Sequence, residues 1–231
     1  MDIRKKTLSI LTGVIIFIII IFLVISFTFF LDNYRKIEAS YATDYSNLVE
    51  QNVKNEMNNL DLIMRDWGAW DDTYAFVAGE KADFIQSNLG EAPFKNLHLN
   101  FIIISTRQGD IIYGEGYDLE KNKLTPLRSD LVEEFAREGS PLRNLVTTTM
   151  PSGFLNLPQG TVILSSYPVL HSDFTGPSRG VIIMGRYFDG AEDVKLSPSE
   201  RQKILIIPLE QASLSPATMT LLSNADPSQV L

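Results

Sequence analysis

Residues 65–77, RDWGAWDDTYAFV, place aromatic and acidic side chains next to each other. The adjacent carboxylates of Asp71 and Asp72 could bind a divalent cation or act as a general acid and base. In a competing structural interpretation, Asp72 caps the helix that follows and Asp71 accepts hydrogen bonds from backbone or indole N–H groups. Adjacent acids are common at helix N-termini, where they face the positive end of the helix dipole. We therefore favour the structural interpretation.

Three aromatic residues of this stretch have helical spacing. Trp67, Trp70 and Tyr74 are three and four positions apart, which predicts that they share one face of a helix. Asp71 would lie beside that face. The arrangement is either a packed corner of the core or one wall of a ligand pocket, with aromatic sides and an acid that orients the ligand. The residues leave both interpretations open.

Other catalytic chemistry has little support in the sequence. There is no cysteine, which excludes a thiol nucleophile and a cysteine-ligated zinc ion. The two histidines, His98 and His171, stand outside any H-x-x-x-H or G-x-S-x-G context, and no phosphate-binding glycine loop is present. We therefore predict no catalytic residue, no cofactor and no metal site. A tethered hydrolase that uses Asp71 and a histidine is the least favoured class.

The elements that must position these residues begin with an apolar segment. Residues 8–31 carry no charge and as a helix would span about 36 Å, enough to cross the hydrocarbon core of a bilayer. A cleaved signal peptide would have a shorter apolar region and a small-residue cleavage site, so we favour an uncleaved anchor. Arg4, Lys5 and Lys6 precede the segment and predict a cytoplasmic N-terminus with an extracytoplasmic domain.

The rest of the chain is acidic. The whole sequence has 28 acidic and 20 basic residues, and without Asp2, Arg4, Lys5 and Lys6 the counts become 27 and 17, a net charge of −10. This charge disfavours nucleic acid as a partner. With no disulfide available, an apolar core must stabilise the domain.

The apolar pattern predicts an α+β fold. Apolar residues recur at steps of three and four through a long stalk helix, which would pack on a second copy or on its own domain. Two short helices follow, one ending at Gly79 and one with Gly90 as its left-handed C-terminal residue. Two hairpins flank a helix over residues 128–141, which Asp130 and Glu133 would start as a capping box. The predicted strands cover residues 98–105, 110–114, 160–170, 179–188 and, at an edge, 204–209.

The block Trp67, Trp70, Asp71 and Tyr74 resembles the opening W-x-x-W-D-x-x-Y signature of the fourth class of CHASE domains, which are extracellular sensory modules of prokaryotic receptors. Residues 109–118, GDIIYGEGYD, and residues 167–189, YPVLHSDFTGPSRGVIIMGRYFD, resemble later stretches of the same family. The resemblance extends from residue 1 to about residue 190. It implies a PAS-like, or Cache-like, antiparallel sheet after a membrane helix and a long stalk helix.

Together the charges, the apolar patterns and the resemblance divide the chain into four predicted parts. These are a cytoplasmic tail (1–7), a transmembrane helix (8–31), a stalk helix (32–66) and an extracytoplasmic sensory domain (67–231). Members of the family usually continue through a second membrane helix into a histidine kinase or a cyclic-di-GMP enzyme. These 231 residues contain no second span and no output domain.

We therefore expect a membrane-anchored sensor domain, without catalysis of its own, that detects a small ligand or an envelope stimulus. In this hypothesis Trp67, Trp70 and Tyr74 form the walls of the site, Asp71 orients the ligand and Arg186 pairs with an anionic group. The expected partners are an unidentified small ligand, the bilayer through residues 8–31 and a second copy through the stalk. The alternative is a membrane-tethered interaction module that docks another envelope protein.

Overall fold

A computed structural model describes residues 3–148 and 151–188. The edge strand predicted at 204–209 lies outside these described residues. The elements, in chain order, are α1 (Ile3–Gly68), α2 (Asp71–Val77), α3 (Phe84–Asn88), α4 (Glu91–Leu97), β1 (Phe101–Thr106), β2 (Ile111–Asp118), β3 (Lys123–Thr125), α5 (Ser129–Ala136), α6 (Pro141–Asn144), β4 (Gly153–Leu157), β5 (Gly160–Pro168) and β6 (Gly180–Tyr187).

The strands form one antiparallel sheet in the order β3-β2-β1-β6-β5-β4. β1 lies in the interior and pairs with β2 on one side and β6 on the other. Gly109, with a φ of 85°, makes the turn between β1 and β2 that the sequence predicts. The arrangement confirms the α+β class, with a PAS-like, or Cache-like, antiparallel sheet that follows a long N-terminal helix in the chain.

Apolar side chains cover both faces of the sheet, which explains the almost continuous apolar runs in its interior strands. Ile102 and Ile104 of β1 belong to a core that also contains residues of α1 and of the short helices. Phe101 and Ile103 point to the opposite face and pack with residues of α5 and α6. The sheet is therefore the middle layer of the domain.

The N-terminal part of α1 contains a candidate membrane span. An 18-residue window reaches a mean hydropathy of 3.3, and none of that window is buried. By length and composition this part of the helix could cross a bilayer, as predicted for residues 8–31.

The C-terminal part of α1, from Val49 onward, is a core-facing helix. Val53, Leu60 and Met64 are buried there at 3% exposure or less. Farther toward the N-terminus, the apolar side chains of Ile37 and Tyr41 are exposed. The stripe in the sequence therefore contains core positions and exposed positions within one helix.

Two predicted capping arrangements are wrong. Gly90 has a φ of −73° and is the residue from which α4 starts, so it does not end α3 in the left-handed conformation. Asp130 lies inside α5, whose N-cap is Arg128, and it makes no capping box with Glu133. Its carboxylate instead accepts hydrogen bonds from Arg128 Nε at 2.6 Å and from the Gln159 backbone N–H at 3.0 Å.

The sequence analysis did not identify the edge strands β3 and β4 or the short helices α4 and α6. The edge strands have only three and five residues, and each mixes apolar with polar or glycine positions. Such short stretches carry too few alternating positions for a period of two to be recognised.

The pairing of β1 with β6 yields a stability prediction, because Phe101 lies opposite Gly185. A Cβ added at Gly185 would overlap the ring of Phe101 and would approach the carbonyl oxygen of Ile163 to 2.6 Å. Gly185→Ala should therefore lower the free energy of unfolding by about 2 kcal/mol, because over-packed cores force backbone shifts. Urea unfolding of the full chain in detergent, followed by tryptophan fluorescence, measures this change.

Gly90→Ala is the matched control. An added Cβ meets no atom within 4 Å at Gly90, and φ there suits an alanine. Its free energy of unfolding should change by less than about 1 kcal/mol. Equal urea midpoints for the two variants would contradict the close packing at Gly185.

Candidate functional site

The aromatic and acidic block forms the joint between α1 and the loop that connects β5 to β6. The Leu170 backbone N–H donates to the carbonyl oxygen of Gly68 at 2.9 Å, and Ala69 forms a parallel bridge with Leu170. A Cβ at Gly68 would lie 2.6 Å from Cδ1 of Tyr167. We call residues 67–74 together with residues 170–176 the aromatic corner.

Trp67 and Trp70 pack into the first core at this corner. Their rings meet edge to face at 5.8 Å between centroids, and Trp70 lies 5.7 Å from the ring of Phe84. Both tryptophans are partly buried. The prediction that Trp67, Trp70 and Tyr74 share one helix face is wrong, because α1 ends at Gly68 and Trp70 has an extended backbone before α2. The two tryptophan rings meet across the break in the helix, and Tyr74 belongs to the same core cluster.

Asp71 binds the β5–β6 loop. Its Oδ1 lies 2.8 Å from Nδ1 of His171 and accepts the Ser172 backbone N–H at 3.2 Å. In return the Asp71 backbone N–H donates to Ser172 Oγ at 3.0 Å. The hydrogen bond from His171, followed by those from Ser172, lowers the pKa of Asp71 below its ordinary value of 3.8.

These contacts match one half of the structural interpretation of the two acids. Asp71 does accept a backbone N–H, as predicted. Asp72 caps no helix, because the N-cap of α2 is Trp70 and no side chain caps it. The Asp72 carboxylate instead lies 3.3 Å from Nζ of Lys81.

Tyr74 is buried and contacts two basic side chains. Its ring centroid lies 3.8 Å from that of His171, and Cζ of Arg179 lies 4.9 Å from it. His171 therefore makes a stacking contact and a hydrogen bond to Asp71. Within residues 3–148 and 151–188, the contacts of His171 include no serine hydroxyl positioned as a nucleophile, and no group of three metal-ligating side chains occurs.

Arg186 lies elsewhere. It is near the C-terminal end of β6, and the corner loop precedes the strand's first residue, Gly180, about 20 Å away at 3.3 Å per residue. Its side chain is 3% exposed, forms an ion pair with Glu56 and donates through Nη2 to the Leu97 carbonyl oxygen at 2.8 Å. The structure thus brings together four of the five predicted site residues. Their binding of a ligand stays a prediction.

The sequence analysis missed a groove between α1 and β5. Its volume is about 550 Å³, within the range of small-molecule sites. The sequence signal was the acid–base pair Asp61 and Arg65, four positions apart, but such pairs are common on exposed helices. We call this cavity the α1–β5 groove; it is lined by Asn58, Asp61, Leu62, Arg65, Pro151, Ser165, Ser166 and Tyr167.

The contacts of Asp71 yield a pH prediction. Because the folded-state pKa lies below the unfolded value of 3.8, ionised Asp71 stabilises the fold above about pH 4, and this contribution is lost as the pH falls through the folded pKa. Asp71→Asn should therefore melt below the wild type at pH 6, and the difference should shrink between pH 4 and pH 2.5. Thermal unfolding of both proteins across that range measures it.

Asp110→Asn is a suitable control, since Asp110 is an exposed carboxylate in the β1–β2 turn, away from the aromatic corner. Its melting temperature should stay close to that of the wild type throughout the range. A difference between Asp71→Asn and wild type that stays constant from pH 6 to pH 2.5 would contradict the lowered pKa.

Comparison with known proteins identifies a family. A sequence profile of the CHASE4 domain matches residues 52–202. The chain is 29% identical over 139 residues to the methanogenesis regulatory histidine kinase FilI of Methanothrix harundinacea (strain 6Ac). This match covers 60% of the chain and 16% of FilI, so the chain spans a small part of that relative's length.

Two solved structures align with lower similarity. A domain assigned to a sensory box/GGDEF family protein from Vibrio parahaemolyticus has a TM-score of 0.48 and 14% identity, over 66% of this chain and 61% of that one. The extracellular domain of a protein named as the histidine kinase vpHK1S-Z8 has a TM-score of 0.40 and 13% identity, over 62% of this chain and 59% of that one.

The profile match extends over more than half of the chain and includes the end of α1, the aromatic corner and all six strands. The W-x-x-W-D-x-x-Y block and the sheet that follows it agree with that match. The chain belongs to the CHASE4 family of sensory domains.

Proposed function

We propose that this chain is a membrane-anchored, extracytoplasmic sensor domain that detects a small ligand or an envelope stimulus and transmits it across the membrane. The observation that carries the proposal is the combination, in one chain, of a CHASE4 domain with a helix apolar enough to cross a bilayer. A sensory domain joined to a membrane helix has a direct route for a signal.

The proposed orientation rests on charge. Arg4, Lys5 and Lys6 precede the apolar segment, and basic residues next to a membrane helix favour the cytoplasmic side. The domain after residue 31 then lies outside the cytoplasm.

The output would be a histidine kinase or a cyclic-di-GMP enzyme outside these residues. The support is the relationship to FilI, which is named as a regulatory histidine kinase and of which this chain matches only 16%. The domain itself would be non-catalytic, with Trp67, Trp70 and Tyr74 as walls of a ligand site and Asp71 as its orienting acceptor. Arg186 lies at the far end of β6 and would contact a ligand only at a second site, separate from the aromatic corner.

A signal would pass through the aromatic corner. A ligand changes a conformational equilibrium only if it binds one of two arrangements more tightly than the other. In the corner, hydrogen bonds between exposed groups join the start of α2 to the β5–β6 loop, such as the one that the Ser172 backbone N–H donates to the Asp71 carboxylate. These contacts can be exchanged at small cost, so a small shift of the end of α1 is an available second arrangement.

The alternative function is a docking module. Ile37, Tyr41 and Leu48 expose apolar surface on α1, at 54%, 72% and 48% of their maximum. Such a stripe suits contact with another helix. A second copy of the chain would give the homodimer expected of a receptor, whereas a different envelope protein would make docking the main function.

The orientation can be measured because the chain has no cysteine of its own. Ser87→Cys introduces a thiol at an exposed position of the domain, and Asp2→Cys introduces one before the apolar segment. A membrane-impermeant maleimide should label Ser87→Cys in intact cells and Asp2→Cys only after permeabilisation. The reverse pattern, or release of a labelled soluble fragment that starts near residue 32, would contradict the proposal.

Sensing and docking can be separated with the full chain in lipid nanodiscs. We expect that at least one class in a library of sugars, organic acids, amines, amino acids and metal ions raises the melting temperature by several degrees, because binding stabilises the native state. Trp70→Ala combined with Asp71→Ala should abolish that shift if the corner lines the site. Capture of an envelope protein, with no shift from any compound, would favour docking.

A further inference from the structure

Asp61 and Arg65 lie four positions apart on α1 and yet do not pair. An acid and an arginine at this spacing are neighbours on a helix surface and ordinarily form an ion pair. Among the described residues Asp61 binds serines and Arg65 lies over an aromatic ring. Two independent anchors therefore hold opposite charges apart on the wall of the α1–β5 groove.

The Asp61 carboxylate is fixed by three donors. Its Oδ1 accepts the Ser152 backbone N–H at 2.7 Å and the Ser165 hydroxyl at 2.6 Å. Its Oδ2 accepts the Ser152 hydroxyl at 3.1 Å. An ionised carboxylate has about four acceptor positions, so one position on Oδ2 stays available for a further donor.

The Arg65 guanidinium is held by a contact that leaves its N–H groups available. Its Cζ lies 4.7 Å from the ring centroid of Phe174, a cation–π contact that uses none of its N–H groups as hydrogen-bond donors to a protein acceptor. A planar guanidinium in that position can still bind a carboxylate through two parallel hydrogen bonds. No ion pair of Arg65 occurs in the part of the chain that the structure describes.

The remaining walls of the groove are partly apolar. Leu62 is 63% exposed, and Pro151 and Tyr167 lie across the groove from α1. A ligand with an apolar or aromatic substituent could bury it there while its charged groups reach the helix.

We propose that the α1–β5 groove binds a small zwitterion of the α-amino-acid type, with its carboxylate on Arg65, its ammonium group on Asp61 and its side chain against Leu62 and Tyr167. This inference rests on the proposed sensory function and assigns that function a ligand class and a second site. A carboxylate without an ammonium group would be repelled by Asp61 and by the acidic domain. An amine without a carboxylate would be repelled by Arg65. A zwitterion satisfies both charges.

Binding in the groove would reach the aromatic corner through one loop. Phe174, which supports Arg65, belongs to the same β5–β6 loop as His171 and Ser172, which bind Asp71. A carboxylate that pairs with Arg65 reduces the attraction of its positive charge to the Phe174 ring and so changes the contacts of that loop. The groove and the aromatic corner are thus linked by the β5–β6 loop, which contacts both of them.

The test uses the full chain in detergent and the twenty proteinogenic L-amino acids at millimolar concentration as probes. We expect one or more apolar or aromatic amino acids to raise the melting temperature and to bind in calorimetry. For leucine the matched probes are 4-methylpentanoate, which lacks the ammonium group, and 3-methylbutylamine, which lacks the carboxylate. Each should bind at least about tenfold more weakly than leucine, because each leaves one charged group of the groove unpaired.

Two variants assign the charges. Arg65→Gln should weaken binding by on the order of tenfold or more, and Asp61→Asn should do the same if it folds. Arg65 is exposed, so Arg65→Gln keeps the test decisive even if Asp61→Asn loses the anchors to Ser152 and Ser165. Arg107→Gln, which removes an exposed arginine in the β1–β2 turn, is the control and should leave the affinity unchanged.

Three results would overturn the assignment: no amino acid binds, 4-methylpentanoate binds as tightly as leucine, or Arg65→Gln keeps the wild-type affinity. If no amino acid binds while another compound class stabilises the chain in nanodiscs, the zwitterion site is refuted and the sensory function stands. If no compound of any class acts and an envelope protein is captured instead, both proposals are refuted together.

Discussion

The domain depends on how closely the end of α1 approaches the sheet. At Gly68 the helix backbone lies against Tyr167 and the carbonyl oxygen of Pro168, with no room for a Cβ. The carbonyl oxygen of Gly68 accepts the Leu170 N–H, so the last turn of the helix is bonded to the chain that leaves β5. This contact fixes where the helix ends, and the directions of Trp67 and Trp70 follow from it.

The joint explains why aromatic and acidic residues alternate in one short stretch. The extended backbone at Trp70 turns the chain between α1 and α2, so neighbouring side chains face opposite environments. The tryptophans enter the core beside Phe84, while Asp71 stays in solvent and bonds the loop. Each residue type has a structural role here. The W-x-x-W-D-x-x-Y residues therefore serve the fold whether or not they also bind a ligand.

Sequence periodicity was sufficient for the parts of the fold that bury continuous apolar runs. The strands β1, β2, β5 and β6 and the core-facing turns of α1 were predictable in this way. The predicted end of the stalk helix at residue 66 lies close to the observed end of α1 at Gly68, but the face predicted for Trp67, Trp70 and Tyr74 is wrong because it ignored that break. For Arg186 the predicted strand over 179–188 already places the residue at the end far from the corner loop; periodicity could not show that its side chain is buried and pairs with Glu56.

The α1–β5 groove illustrates the same limit, because helical spacing alone suggests that Asp61 pairs with Arg65. Their actual partners come from residues about ninety to one hundred and ten positions away, Ser152 and Ser165 for Asp61 and Phe174 for Arg65. The cation–π contact of the exposed Arg65 stabilises the fold by about 1 kcal/mol or less, whereas the part-buried hydrogen bonds of the Asp61 carboxylate are stronger. Arg65 is therefore the more easily exchanged of the two anchors. A ligand would shift the end of α1 only if its preference for a second arrangement exceeded the free energy of the side-chain contacts that it replaced, because the backbone packing at Gly68 holds the first arrangement.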